Sequence, residues 1–183
     1  MAKMRQVKVG KVTFGGKKLA FIAGPCVIES VEGTMDLAAR LVLLARELDV
    51  PLVFKASFDK ANRTSVDSYR GPGLIEGLAI LREVRDRFNV PVLTDIHEPG
   101  QAALAAESVD ILQIPAFLCR QTDLLVAAGE TGLVVNVKKG QFLAPEDMAH
   151  VIGKIESTGN SKIILTERGA SFGYHNLVAD MRS

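Results

Sequence analysis

Long apolar runs are what this chain most clearly lacks. None approaches the roughly 20 residues that a bilayer-spanning helix needs. Met1 to Gly10 alternates Lys or Arg with Val and carries no signal-peptide core. Cysteine is scarce, two in 183 residues with no framework spacing, which excludes a disulfide-stapled scaffold and points to a reducing compartment. Charge of either sign is not in excess. A net charge of +1 argues against general nucleic-acid binding and against an electrostatic membrane anchor. No P-loop is present, and the Gly71-Pro72-Gly73 turn is not a dinucleotide fingerprint. What remains is a cytosolic globular chain, 48% hydrophobic, able to bury a core as one domain.

Val7 to Phe14 alternates apolar and polar residues around Gly10, which predicts a small two-stranded hairpin. Short apolar runs then recur at Leu19–Pro25, Pro51–Ala56, Pro91–Ile96, Asp110–Pro115, Leu133–Val137 and Lys162–Thr166. They lack clean period-two alternation, as expected of strands covered on both faces in a parallel sheet. Between them the spacing predicts helices. Thr34 to Leu48 sets Leu37, Leu41, Leu44 and Leu48 on one stripe, with Thr34 as N-cap. Leu74 to Phe88 repeats the pattern, and Thr122 to Gly129 and Pro145 to Ile155 are shorter, with Pro145 suited to a first turn. Six strands with crossovers imply right-handed β/α units and an α/β fold. A closed (β/α)₈ barrel needs eight strands and about 250 residues. Periodicity therefore leaves open an incomplete barrel or an open six-stranded sheet.

Ligands of parallel α/β folds bind beyond the carboxyl ends of the strands. Those ends hold Cys26 and Glu29; Lys55, Ser57, Asp59, Lys60, Asn62 and Arg63; Asp95 and His97; Gln113; Arg120; Lys138 and Lys139; and Arg168. So many cations in a nearly neutral molecule repel one another unless anions such as phosphate or carboxylate join them. The alternative is simple solvation of strand ends. Cys26 can offer a thiolate to a metal or be a small buried packing residue. His97 can act as base or ligand, or be hydrogen-bonded scaffold. Gln113 lies within an apolar strand, where an amide needs partners. Cys119 is expected to be structural and His150 to be solvated on a helix surface.

Several segments together resemble one family. They are Ala23-Gly24-Pro25-Cys26 with Glu29-Ser30, Phe54 to Arg63, and Thr94-Asp95-Ile96-His97-Glu98. Gln113 to Asp123, Asn136 to Phe142, Glu167-Arg168-Gly169 and Phe172-Gly173-Tyr174 complete the set. In order and content they resemble the 3-deoxy-D-manno-octulosonate 8-phosphate synthases, from Phe21 onward. That resemblance implies a TIM (β/α)₈ barrel of which residues 1–183 form a single incomplete domain, with residues 1–18 as a hairpin capping the bottom. It implies a transferase of lipopolysaccharide precursor synthesis. Phosphoenolpyruvate, arabinose 5-phosphate and water would give 3-deoxy-D-manno-octulosonate 8-phosphate and phosphate. Lys138, Arg168 and the Ala116 backbone would hold the phosphoenolpyruvate phosphate, and Lys55 and Lys60 its carboxylate. Asn62, Arg63 and Thr64 would take the sugar phosphate, although many relatives carry Ser at position 64. Asp95, His97 and Gln113 would lie between the substrates, with Ser57 and Phe117 also in the binding set. Lys60, Asn62, Asp95 and His97 are the expected catalytic residues. A homotetramer is implied, with Arg120 in the substrate-binding set as the arginine that reaches the sugar phosphate of a neighbouring subunit.

Cys26 stands where the metal-independent branch has Asn, which implies a divalent metal (Zn, Mn, Fe or Cd) and no organic cofactor. The family's other ligands, a His, a Glu and an Asp, fall on or after the last two strands, beyond position 183. Residues 1–183 alone are therefore expected to lack tight metal binding and turnover, and to be part of a longer protein. Two other functions stay open: the related synthase acting on erythrose 4-phosphate, and an inactive anion-binding fragment.

Overall fold

A computed structural model describes residues 5–181. The chain opens with an antiparallel hairpin, β1 (Val7–Val9) and β2 (Val12–Phe14), turning at Gly10 as the alternation predicts. Six short parallel strands follow: β3 (Phe21–Ala23), β4 (Leu52–Lys55), β5 (Val92–Asp95), β6 (Ile111–Ile114), β7 (Val134–Lys138) and β8 (Ile163–Thr166). Their order in the sheet is their order in the chain. A doubly wound sheet reverses its order at a switch point, whereas a barrel winds one way throughout. The uniform winding therefore identifies a curled arc of barrel, and the open-sheet alternative is set aside.

Helices α1 (Val31–Glu47), α2 (Leu74–Phe88), α3 (Gln101–Ala106), α4 (Thr122–Glu130) and α5 (Met148–Glu156) cover the outer face. The ends of α2 agree with the sequence reading. Those of α1 do not. Its N-cap is Ser30, whose hydroxyl accepts the Gly33 amide, while the Thr34 hydroxyl donates back to the Ser30 carbonyl inside the first turn. Its buried stripe is Thr34, Met35, Ala38, Val42 and Ala45; Leu44 and Leu48 are exposed. Two apolar stripes fit one helical period, and the one bearing small alanines lets the helix approach the sheet closely. Helix α3 and a 3₁₀ turn at Ala116–Leu118 were not anticipated, because six and three residues are too few to display a period. After β8 the chain forms a small hairpin, β9 (Ala170–Ser171) and β10 (Leu177–Val178).

The arc's inner face is layered. Val53, Leu93, Ile111 and Val134 pack on Val7, Val9 and Val12 of the hairpin, with Ile22 and Ile164 alongside. The hairpin thus closes the amino-terminal end of the arc. Two residues further along β4, β5, β6, β7 and β8, on the same face, stand Lys55, Asp95, Gln113, Asn136 and Thr166. An apolar layer is followed directly by a polar one. The outer faces, among them Phe54, Val92, Leu112 and Val135, are buried with the helices in the larger core.

Candidate active site

Above the polar layer lies a cleft of about 520 Å³ at the carboxyl ends of the strands. Gly24 makes its first wall possible, because a Cβ there would collide with the Lys55 carbonyl of the neighbouring strand. The chain then turns through Pro25 and leaves Cys26 exposed on the cleft. This excludes the reading of Cys26 as a buried packing residue. Cys119 is fully buried, and His150 is exposed on α5, both as expected.

The segment from Asp59 to Gly73 supplies a second wall. Arg70 grips Asp59 with two hydrogen bonds, Nε to Oδ1 at 2.8 Å and Nη2 to Oδ2 at 2.6 Å. Hydrogen bonding to Arg70 holds the Asp59 carboxyl below its ordinary range. The Lys60 amide donates to the Arg70 carbonyl, Arg63 Nε to the Tyr69 carbonyl, and the Tyr69 hydroxyl to the Ile28 carbonyl. So braced, the segment presents Lys60, Asn62, Arg63 and Thr64 to the cleft. Asp59, counted among the strand-end groups, serves the brace instead and is not part of the lining.

Lys138, at the end of β7, and Arg168, in the loop after β8, face the cleft from the other side. Ala116 and Phe117 line it between the two walls. Lys139 does not belong with these cations. It is buried, donating to the carbonyls of Gly140, Leu143 and Gly169, and it lies 3.5 Å from Glu167. Lys138 and Lys139 are adjacent, so strand alternation points one into the cleft and the other away. Glu29 and Arg120 are exposed and outside the lining, and the Arg120 carbonyl accepts from Lys154.

Lys55, Ser57 and Gln113 lie in the floor, beneath the lining. Ser57 donates to Asp95 Oδ2 at 2.5 Å and accepts from Lys55 at 2.9 Å and Lys60 at 2.7 Å. Lys60 also pairs with Asp95 Oδ2 at 3.1 Å, and the Gln113 amide donates to Asp95 Oδ1. Burial alone would raise the Asp95 carboxyl. The ammonium groups of Lys55 and Lys60 and the bonds from Ser57 and Gln113 outweigh it, and hold the carboxyl well below the usual range. Lys55 shows the opposite balance. Its direct partners are the Ser57 hydroxyl and the Cys26 carbonyl, both neutral, so burial dominates the pull of Asp95 and lowers it to about 8. His97 lies on the cleft with its ring edge-on to Phe58, its pKa lowered by burial. Its Nδ1 is buried without a hydrogen-bond partner among the described residues.

Sequence reasoning missed Gln141 in the lining and Asn136 and Thr166 in the floor. The signal that singled out Gln113, an amide inside an apolar strand, was equally present in Val134-Val135-Asn136. No group of three or more His, Cys, Asp or Glu side chains gathers among the described residues. Those residues alone therefore do not fit a divalent-metal site.

Comparison with known proteins agrees with this geometry. A family model described as the DAHP synthetase I family matches residues 3–183. The chain is 62% identical over 180 residues to a protein of Geobacter metallireducens named 2-dehydro-3-deoxyphosphooctonate aldolase, covering 98% of this chain and 66% of that protein. A protein of the same name from Trichlorobacter lovleyi is 61% identical over 180 residues, with the same coverage. Another from Desulfatibacillum aliphaticivorans is 63% identical over 168 residues, 92% of this chain and 62% of that protein. The chain thus spans just under two thirds of the length of these relatives. With the family model matched along nearly all of it and the strands wound one way around a cationic cleft, the chain belongs to the DAHP synthetase I family.

Proposed function

We propose that the protein serves the condensation of phosphoenolpyruvate with arabinose 5-phosphate and water, giving 3-deoxy-D-manno-octulosonate 8-phosphate and inorganic phosphate. The observation that carries this reading is the division of the cleft's cations into two groups. Lys60 and Arg63 follow β4, whereas Lys138 ends β7 and Arg168 follows β8. Strands β4 and β7 are three steps apart in the sheet, roughly 14 Å at about 4.8 Å per strand. Two phosphorylated substrates meeting tail to tail suit that separation. The relatives' shared name contains 2-dehydro-3-deoxyphosphooctonate, an eight-carbon deoxy keto acid phosphate like the product of this condensation, and supports the same reaction.

In this reading Lys138 and Arg168, with the Ala116 backbone, hold the phosphoenolpyruvate phosphate. Lys55 and Lys60 face its carboxylate. Asn62, Arg63 and Thr64 take the sugar phosphate, and Phe117 covers the space between. The enol carbon attacks the sugar aldehyde and water adds to the neighbouring carbon. The hemiketal phosphate then loses phosphate by carbon–oxygen cleavage. Fixed cations turn a bimolecular encounter into a positioned one and stabilise the charge that develops. Asp95, held ionised by three donors (Ser57, Lys60 and Gln113) and by the nearby charge of Lys55, acts by aiming Lys60 and not by moving protons. His97, its buried Nδ1 free to accept, is the group suited to proton transfer. Cys26, exposed on the cleft, would be one ligand of a divalent ion whose other ligands lie outside the described residues. A homotetramer taking Arg120 across its interface and a cytoplasmic location complete the proposal. No helix among the described residues is long and apolar enough to cross a membrane.

Phosphate release measured with each sugar phosphate tests the assignment. Turnover with arabinose 5-phosphate is expected of the protein at the length of its relatives, not of residues 1–183 alone. Turnover with erythrose 4-phosphate alone would transfer the protein to the other synthase of the matched family.

A further inference from the structure

The floor of the cleft contains a chain of side chains that crosses five strands. The Thr166 hydroxyl on β8 donates to Asn136 Oδ1 on β7 at 2.8 Å. Asn136 Nδ2 donates to Gln113 Oε1 on β6 at 2.8 Å. Gln113 Nε2 donates in turn to Asp95 on β5, which also receives Ser57, just beyond β4. The central members are almost fully enclosed: Asn136 is 1% exposed, Gln113 3%, Asp95 5% and Ser57 0%.

The direction of this chain is not free. A carboxylate only accepts, so Gln113 must turn its NH₂ toward Asp95 and its oxygen toward Asn136. Asn136 must then present its own NH₂, which leaves its oxygen for the Thr166 hydroxyl. Reversing any one amide sets two acceptors face to face in a dry interior. The same Asp95 carboxylate receives Lys60, which lines the cleft.

We propose that Asn136 and Thr166 are positioning residues: they fix the polarity of a one-way relay that ends on Asp95, and through Asp95 they hold Lys60 in place for an anionic substrate. Neither residue lines the cleft, so both act through others. The link to Lys60's ligand rests on the proposed function; the relay itself does not.

The test is a polarity reversal. Asn136→Asp is nearly isosteric, yet it places acceptor-only groups on both sides of Gln113, whose NH₂ can face only one of them. The Asp95→Asn/Asn136→Asp double variant restores both bonds of Gln113 in the reversed direction, while Thr166, Ser57 and Lys60 keep donating as before. The single variant should unfold at lower denaturant than wild type and lose the protected side-chain amide signals of Gln113 in NMR spectra. The double variant should recover the Gln113 signals and part of the lost stability, because its carboxylate no longer faces Lys60. A single variant as stable as wild type, or a double variant no better than the single, overturns the relay.

Ligand binding then reads what the relay serves. In the double variant the carboxylate has moved away from Lys60. Phosphoenolpyruvate should therefore bind at least about tenfold more weakly, while inorganic phosphate, held by Lys138 and Arg168, should bind as in wild type. Unchanged phosphoenolpyruvate affinity in the recovered double variant would overturn the role of the relay in holding Lys60. If wild type binds phosphate but not phosphoenolpyruvate, the proposed function fails, and the relay still stands or falls on the rescue. Thr166→Ser should keep the Gln113 signals and Thr166→Val should shift them; identical spectra for the two would remove Thr166 from the relay.

Discussion

Two layers of the same strands, two residues apart, have opposite chemistry. The lower layer, Val53, Leu93, Ile111 and Val134, sits on the hairpin and contains no polar atom. The upper layer, Lys55, Asp95, Gln113 and Asn136, contains scarcely anything else, yet Asp95, Gln113 and Asn136 are as well buried. An apolar layer gains stability from area and shape and tolerates exchange among similar shapes. A polar layer gains it only if each member finds its partner, so it tolerates almost no exchange. Stability and site geometry are therefore written on the same strands by two different rules.

The largest effect should come from leaving the upper layer's cations uncompensated. Asp95→Leu removes the acceptor for Ser57, Lys60 and Gln113 at once, and should cost about 3–5 kcal/mol in denaturant unfolding. Its pH dependence is a finer check. The Asp95 carboxyl is depressed in the folded state, so its contribution is present above the unfolded carboxyl pKa of about 3.9 and is lost as the pH falls below it. Wild type should lose stability steeply below about pH 4, and Asp95→Leu should lose it less steeply. Lys55 runs the other way. Its folded pKa of about 8 lies below the ordinary 10.5, so between these values the unfolded chain binds the extra proton. Stability should rise with pH across that interval, and Lys55→Met should abolish the rise.

The lower layer should yield next. Ile111→Ala, in the middle of the arc, leaves a cavity that closes poorly and should cost about 2–4 kcal/mol with no pH signature of its own. If that variant instead altered the acid transition as Asp95→Leu does, the two layers would not be the separate units described here.

Much of this division was legible in the sequence. All six strands were placed to within a few residues, because short apolar runs bounded by Pro, Gly and polar residues leave little choice. The inward polar positions of β4 to β6 were legible as well, since Lys55, Asp95 and Gln113 interrupt apolar runs. Asn136 interrupts an apolar run just as Gln113 does, but whether it faces the inside of the arc or the helices depends on the phase of β7. The partition of Lys138 and Lys139 needs that same phase. The buried stripe of α1 needs to know which face meets the sheet, and neither leucine count nor period contains that. Barrel against open sheet was decided by strand order, which is a property of pairing and not of any one strand.

Lys139 separates a structural cation from the cleft cations by a smaller effect. Its ammonium gathers the carbonyls of Leu143 and Gly169 at 3.2 and 3.1 Å, tying the loop after β7 to the loop after β8. Glu167, 3.5 Å away, accepts the amides of Arg168 and Gly169 from within the second loop. Lys139→Met keeps the stem and removes the charge, leaving two or three carbonyls short of a donor. It should cost about 1–3 kcal/mol and hasten proteolysis between residues 167 and 178. Lys138→Met, one residue away, should leave stability almost unchanged and abolish phosphate binding. The reverse outcome, with Lys138 the more destabilising and Lys139 the one that binds phosphate, would show that the strand points the two side chains the other way.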